Sequence, residues 1–149
     1  MSSPSASATS RPPKHLWIVG GLSLLWNAFG ALDYLMSQLQ VDAYMSQFTP
    51  DQLEYFYGFP AWADAAWAFG VWGAVAGSVG LLLRKAWAQW AFAVSILGLV
   101  GSSTYSMLLT DGIAVMGGTG PLIFSLVIWL VTIGLFFYAR SMTQRGVLA

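Results

Sequence analysis

FPAWADAAWAFGVWGAVAGSVGLLLRKAW, residues 59–87, is the stretch that decides the fold. From 59 to 83 it holds a single charge, Asp64, close to its start, and it ends on the pair Arg84-Lys85. A helix needs about 20 apolar residues to cross a bilayer, and this run supplies them. Within it Ala63, Ala66, Gly70, Gly73, Gly77 and Gly80 recur at three- and four-residue steps, which keeps them on one stripe of a helix. In lipid the hydrophobic effect no longer drives helix association, and small residues let backbones approach for van der Waals contact. The stretch therefore reads as a transmembrane helix with a packing seam.

The same reading extends outward in both directions. A first span covers 16–35, with Asn27 its strongly polar interior residue; a third covers 86–109 and is uncharged; a fourth covers 119–139, with Pro121 in its first turn. Composition agrees: 57% of the 149 residues are hydrophobic and 8% charged, against about 25% charged in a soluble domain. The fold class expected is all-α, a four-transmembrane-helix bundle spanning residues 15–140. Residues 1–14, rich in Ser, Ala and Pro, are expected to be a disordered tail, and 141–149 a second, short tail. In the first span Gly20, Ser23, Asn27, Gly30 and Tyr34 form another stripe, so Gly20 and Gly30 join Gly70, Gly73, Gly77 and Gly80 as expected helix-packing positions.

Charge sets the orientation. Arg11 and Lys14 precede the first span, Arg84 and Lys85 join the second to the third, and Arg140 and Arg145 follow the fourth. All six basic residues thus fall on one side, while Asp33, Asp42, Asp51, Glu54, Asp64 and Asp111 fall toward the other. The positive-inside rule then gives two cytoplasmic termini. A signal peptide is the rival reading of Arg11, Lys14 and the apolar run, but the helical pattern runs on through its supposed cleavage point at 28–30. The long outer loop, 37–58, contains Thr49-Pro50-Asp51-Gln52: a cap, a proline at the first helical position and a capping-box partner. A short extracytoplasmic helix from Pro50 to about Tyr57 follows, lying on the membrane surface or capping the bundle.

Several chemistries are excluded or left without residues. There is no cysteine and one histidine, His15, so neither thiolate sites nor bis-histidine haem can be built within one chain. No catalytic nucleophile–base pair, metal cluster or cofactor motif is visible, and zero net charge gives no reason to expect nucleic acid. Gly117-Gly-Thr-Gly120 lacks the Lys and the strand of a phosphate loop and reads as a helix-start turn. Arg84 and Lys85 suit lipid headgroups, so membrane lipids are the expected contacts.

The candidate ligand-lining residues are Asn27, Asp33, Tyr34, Asp64 and Trp67. Asn27 suits either a solute contact or an interhelical hydrogen bond, and its place on the seam favours the bond. Asp33 and Asp64 sit near the outer ends of their spans, where a carboxylate is either a site or a hydrated interfacial group. Asp33 precedes its seam by one residue and Asp64 follows its own by one. At 100° per residue they are not expected to share a proton. Trp26 and Asp33 fall on one stripe, and Asp64 and Trp67 are three apart; indole beside carboxylate is a sugar-binding combination.

Residues 26–34, WNAFGALDY, with Phe48-Thr-Pro50, Phe59-Pro60-Ala-Trp62 and Ala66-Trp67-Ala-Phe-Gly-Val-Trp-Gly73, resemble an uncharacterised family of small bacterial four-helix inner-membrane proteins. Some of its members are loosely labelled sugar transporter, and the resemblance implies no assigned site residues. Three functions stay open: a small solute carrier working as a homo-oligomer, an accessory or scaffold subunit of a larger membrane complex, and a membrane enzyme. Non-enzymatic roles are favoured.

Overall fold

The computed structural model describes residues 11–149, so residues 1–10 of the expected disordered tail lie outside it. The architecture is all-helical. Four helices are long and apolar enough to cross a membrane: α1 (Lys14–Gln38), α4 (Ala61–Leu82), α5 (Ala88–Ser103, continued by a π-helical turn over Thr104–Leu109) and α7 (Thr119–Gln144). Three short helices lie in the two loops at the acidic end: α2 (Asp42–Met45), α3 (Pro50–Tyr57) and α6 (Gly112–Val115). This is a polytopic membrane protein.

The ends of α1 and α7 pass beyond the apolar runs. α1 begins at Lys14, directly after Pro13 in extended conformation at its N-cap, rather than at 16. α7 continues through Arg140 to Gln144, because charged side chains at a membrane surface do not oblige a helix to stop. The last residues are not a free tail. Val147 and Leu148 are buried, and the chain pairs with the α4–α5 turn: Ala86 N–H donates to Ala149 O and Ala149 N–H to Arg84 O, both at 2.9 Å. Arg84, with a left-handed φ of 56°, also donates from Nε to Val147 O at 3.3 Å.

The loop helices follow their local signals. Thr49 and Gln52 form the reciprocal capping box, Gln52 N–H to Thr49 Oγ1 at 3.3 Å and Thr49 N–H to Gln52 Oε1 at 3.1 Å. Gln52 Nε2 then donates to Val115 O at 3.2 Å and Tyr55 Oη lies 3.2 Å from Thr110 Oγ1. Those contacts bind α3 to the second loop, so it caps the bundle. Gly117 and Gly118, with φ of 118° and 80°, make the turn into α7, which other residues adopt only with strain.

α4 and α5 form the tightest pair. A Cβ on Gly73 would stand 2.9 Å from both Ala91 O and Ser95 N, and one on Gly98 would stand 2.5 Å from Ala66 O. Ser95 Oγ donates to Gly70 O at 2.5 Å across the contact. Gly77 and Gly80 face Phe92, Ala88 and Trp87, and Gly20 on α1 faces Leu82. Gly30 corrects the seam expectation: a Cβ there meets nothing within 4 Å. The α1 contact with α4 instead runs through Gly20, Asn27 and Tyr34, and Gly30 is rotated off it.

Packing is unequal along the bundle. At the basic end Leu16, Leu81, Ala88, Phe92, Leu135, Ala139, Met142, Val147 and Leu148 form one buried cluster. Toward the acidic end the four spans border a cavity.

Candidate functional site

The site is built from the outer half of each span. On α1, Tyr34 packs against α4, its ring 5.0 Å from Trp67 and 6.4 Å from Trp72. One residue earlier, and so 100° around the helix, Asp33 turns into the hollow. Its carboxylate accepts a hydrogen bond from the hydroxyl of Tyr44 on α2. Asn27, two turns deeper, is buried and donates through Nδ2 to Ala74 O at 3.3 Å and to Ser78 Oγ at 2.9 Å.

These residues border a cavity of about 650 Å³. Trp26, Asn27, Phe29, Gly30 and Asp33 line it from α1, and Trp67, Gly70, Val71 and Ala74 from α4. Ser95, Leu99 and Ser102 of α5 form the third wall, and Phe124, Ile128 and Thr132 of α7 the fourth. The α7 residues follow the i, i+4, i+8 stripe that continues into the core as Leu135, Ala139 and Met142. Tyr44, Phe48, Phe56 and Met116 border the outer end from the loops. The wall between α1 and α7 is made by side chains, with Trp26 and Phe124 5.9 Å apart and His15 5.7 Å from Tyr138 at the far end.

Of the residues singled out in the sequence, Asn27, Asp33 and Trp67 come together at this cavity. Tyr34 and Asp64 stand outside its lining. Asp64 accepts from Gln38 Nε2 at 2.7 Å, which ties the end of α1 to the start of α4. The two carboxylates thus have separate partners.

The sequence left α3 either on the membrane surface or capping the bundle; the aromatic chain over the cavity mouth was not foreseen. Aromatic rings run continuously from Tyr44 to Phe48 (5.5 Å), Phe48 to Phe56 (5.2 Å) and Phe56 to Trp67 (6.3 Å, stacked). A second cluster joins Tyr55, Phe59, Trp62 and Tyr105, with Phe59 and Tyr105 4.8 Å apart. Burial, reinforced by the bond to Asp33 and its charge, holds the Tyr44 hydroxyl above the usual tyrosine range, so it stays a neutral donor. Burial likewise raises Tyr55.

The hydroxyls of the walls turn their protons away from the cavity. Ser95 donates to Gly70 O, Ser102 to Leu99 O at 3.3 Å and Thr132 to Ile128 O at 2.8 Å. The π-helical turn follows from this habit: Ser102, Thr104, Ser106 and Thr110 all bond back to carbonyls of the same segment, competing with the α-helical ladder. Among the described residues no three His, Asp or Glu side chains converge as a metal site. A second groove of about 450 Å³, on the far face of α4 and α5 between Trp62, Phe69 and Leu97, has only apolar side chains and suits lipid.

No family model, curated protein or solved structure matches the chain.

Proposed function

We propose that this protein is a small-solute carrier of the bacterial inner membrane that holds its solute in the cavity between the four spans. The observation that carries the reading is the hollow itself: about 650 Å³, lined from every span and bordered at its outer end by loop side chains. Small-molecule sites occupy roughly 300–1,000 Å³ and are mostly apolar with a few placed polar groups, which describes this lining. A scaffold subunit gains nothing from such a space, since filling it would improve its packing. The resemblance of residues 26–34, 48–50, 59–62 and 66–73 to a family of which some members are loosely labelled sugar transporter also supports a small solute.

Both termini are assigned to the cytoplasm, because all six Lys and Arg lie toward the end of the bundle that carries them. The lidded mouth then faces outward. Four spans are few for alternating access, so the carrier works as a homo-oligomer. The test is mass spectrometry of the protein released from mild detergent, native and with Thr132→Phe, which places a ring in the cavity. A small molecule retained by the native protein and lost from the variant is the expected result. A stoichiometric partner protein with no small molecule would replace the carrier with an accessory subunit.

A further inference from the structure

The donors and acceptors of the cavity are not balanced. Ser102 and Thr132 have given their hydroxyl protons to backbone carbonyls, so each offers a ligand only lone pairs, and Ser95, fully buried against α4 and bonded to Gly70 O, offers no proton either. Both Nδ2 protons of Asn27 go to α4, which leaves its Oδ1 as the atom for a ligand. Tyr44 gives its proton to Asp33. The polar hydrogens that remain on lining side chains are the two indole N–H groups of Trp26 and Trp67.

Charge points the same way. Among the described residues, Asp33 is the one carboxylate in the lining, and no Lys or Arg lines the cavity. Arg11, Lys14, Arg84, Lys85, Arg140 and Arg145 belong to the opposite end of the bundle. Trp26, Phe48, Phe56 and Trp67 line the same cavity as Asp33, and the faces of aromatic rings carry the negative side of their quadrupole. Carboxylate, lone pairs and ring faces all favour a positively charged proton donor.

We infer that the ligand is a protonated organic amine with an apolar body, its ammonium group at Asp33 and its body against the aromatic wall. The inference rests on the carrier reading and names the class of its solute. An anion would meet a carboxylate and acceptors with little to bind it. A sugar carries donors and acceptors in equal measure, and its oxygens would find only the indole N–H groups. An amine satisfies the acceptors without needing donors in return. A second donor on the ligand, such as a hydroxyl, would reach Asn27 Oδ1 about 9 Å deeper along α1.

Three probes of matched shape separate the possibilities: 4-phenylbutylamine, 4-phenylbutanol and 4-phenylbutyrate. Binding is measured calorimetrically to the full chain in phosphatidylcholine nanodiscs, with empty discs subtracted. The amine should bind about tenfold or more tighter than the alcohol, as expected for a charge-assisted contact with added cation–π attraction, and the acid weakest. Asp33→Asn should erase the advantage of amine over alcohol, and Asp64→Asn should leave it intact. Alcohol or acid binding as tightly as the amine to the native protein would overturn the inference while leaving a solute-binding cavity. An amine advantage that survives Asp33→Asn would overturn the assignment of the ammonium site. If none of the three binds, the amine inference and the cavity reading both fall. The ranking on the native protein does not depend on any variant folding.

Discussion

Asp33 and Tyr44 are joined by a hydrogen bond that links α1 to α2 across the mouth of the cavity. The tyrosine hydroxyl is the donor and the carboxylate the acceptor. Removing it with Tyr44→Phe keeps the ring against Phe48 but leaves Asp33 without its partner, so the lid should loosen. The alkaline limb gives a direct check. Tyr44 has a folded-state value raised above the ordinary 10.0, first by burial and then by Asp33. The stabilisation tied to its neutral form is therefore whole below about pH 10 and is lost as pH climbs through the higher folded value. Tyrosinate absorbance of the native protein should show a late-titrating fraction that falls in Tyr44→Phe. An unchanged late fraction would mean that Tyr44 ionises as an ordinary surface tyrosine.

Gly30 and Gly73 look alike in the sequence, each on a stripe of small residues, yet they should respond oppositely to a methyl group. At Gly73 the new Cβ would be driven into the backbone of α5, with Ala91 O and Ser95 N both 2.9 Å away. Overpacking of this kind costs typically 1–3 kcal/mol, and backbone cannot move aside as a side-chain end can. At Gly30 the Cβ enters open space, and alanine in place of glycine favours the helix by about 1 kcal/mol or less. Denaturation in mixed micelles should show Gly73→Ala less stable than native and Gly30→Ala equal or slightly more stable. Equal losses at both sites would place Gly30 in a helix contact after all.

Asn27 takes the interhelical hydrogen-bonding role that its place on the seam favoured. Its Nδ2 bonds fasten α1 to α4, and its side chain also borders the cavity. Interhelical hydrogen bonds in membranes average about 0.6 kcal/mol each, so Asn27→Ala should lower unfolding free energy by roughly 1 kcal/mol. Ser78→Ala removes one of the two bonds and should cost about half as much. A double variant no worse than Asn27→Ala alone would show that the serine acts through the asparagine.

The parts of this fold that were legible in the sequence are those that a single helix records in its own composition. The spans are visible because hydrocarbon demands an uninterrupted apolar run, and the α4 seam because Gly70, Gly73, Gly77 and Gly80 must all face one neighbour. The α3 start was visible because Thr49 and Gln52 are only three residues apart. What was hidden depends on pairs far apart in the chain. Tyr44, Phe48 and Phe56 give no local sign that they fold over Asp33 and Trp67. Ser95, Ser102 and Thr132 are ordinary small polar residues until their neighbours define a cavity. The stripe containing Gly30 was misread because a small residue serves equally at a tight contact and beside an empty space. Tyr34 and Asp64 were credible candidates on depth alone, but each is occupied in joining α1 to α4.

The end of the chain offers the test in which expectation and structure differ most. A polar terminal tail at a membrane surface would tolerate almost any substitution, and 141–149 was expected to be one. Instead Val147 and Leu148 are 7% and 3% exposed and lie in the same cluster as Leu16, Phe92 and Leu135. The backbone beside them is held by Arg84 O and by the Ala86 N–H, so the side chains cannot swing out without breaking those bonds. Truncating a buried leucine costs about 2–5 kcal/mol, and at a chain end that can partly relax the lower part of that range applies. Leu148→Ala should therefore destabilise by about 2 kcal/mol, and Val147→Asp, which puts a charge into the cluster, by more. Exposed Gln144→Ala, only three residues before Val147, should be silent. The readout is the midpoint of unfolding in mixed micelles at matched protein concentration. Leu148→Ala and Gln144→Ala with indistinguishable midpoints would mean that the terminal segment is not docked on the α4–α5 turn.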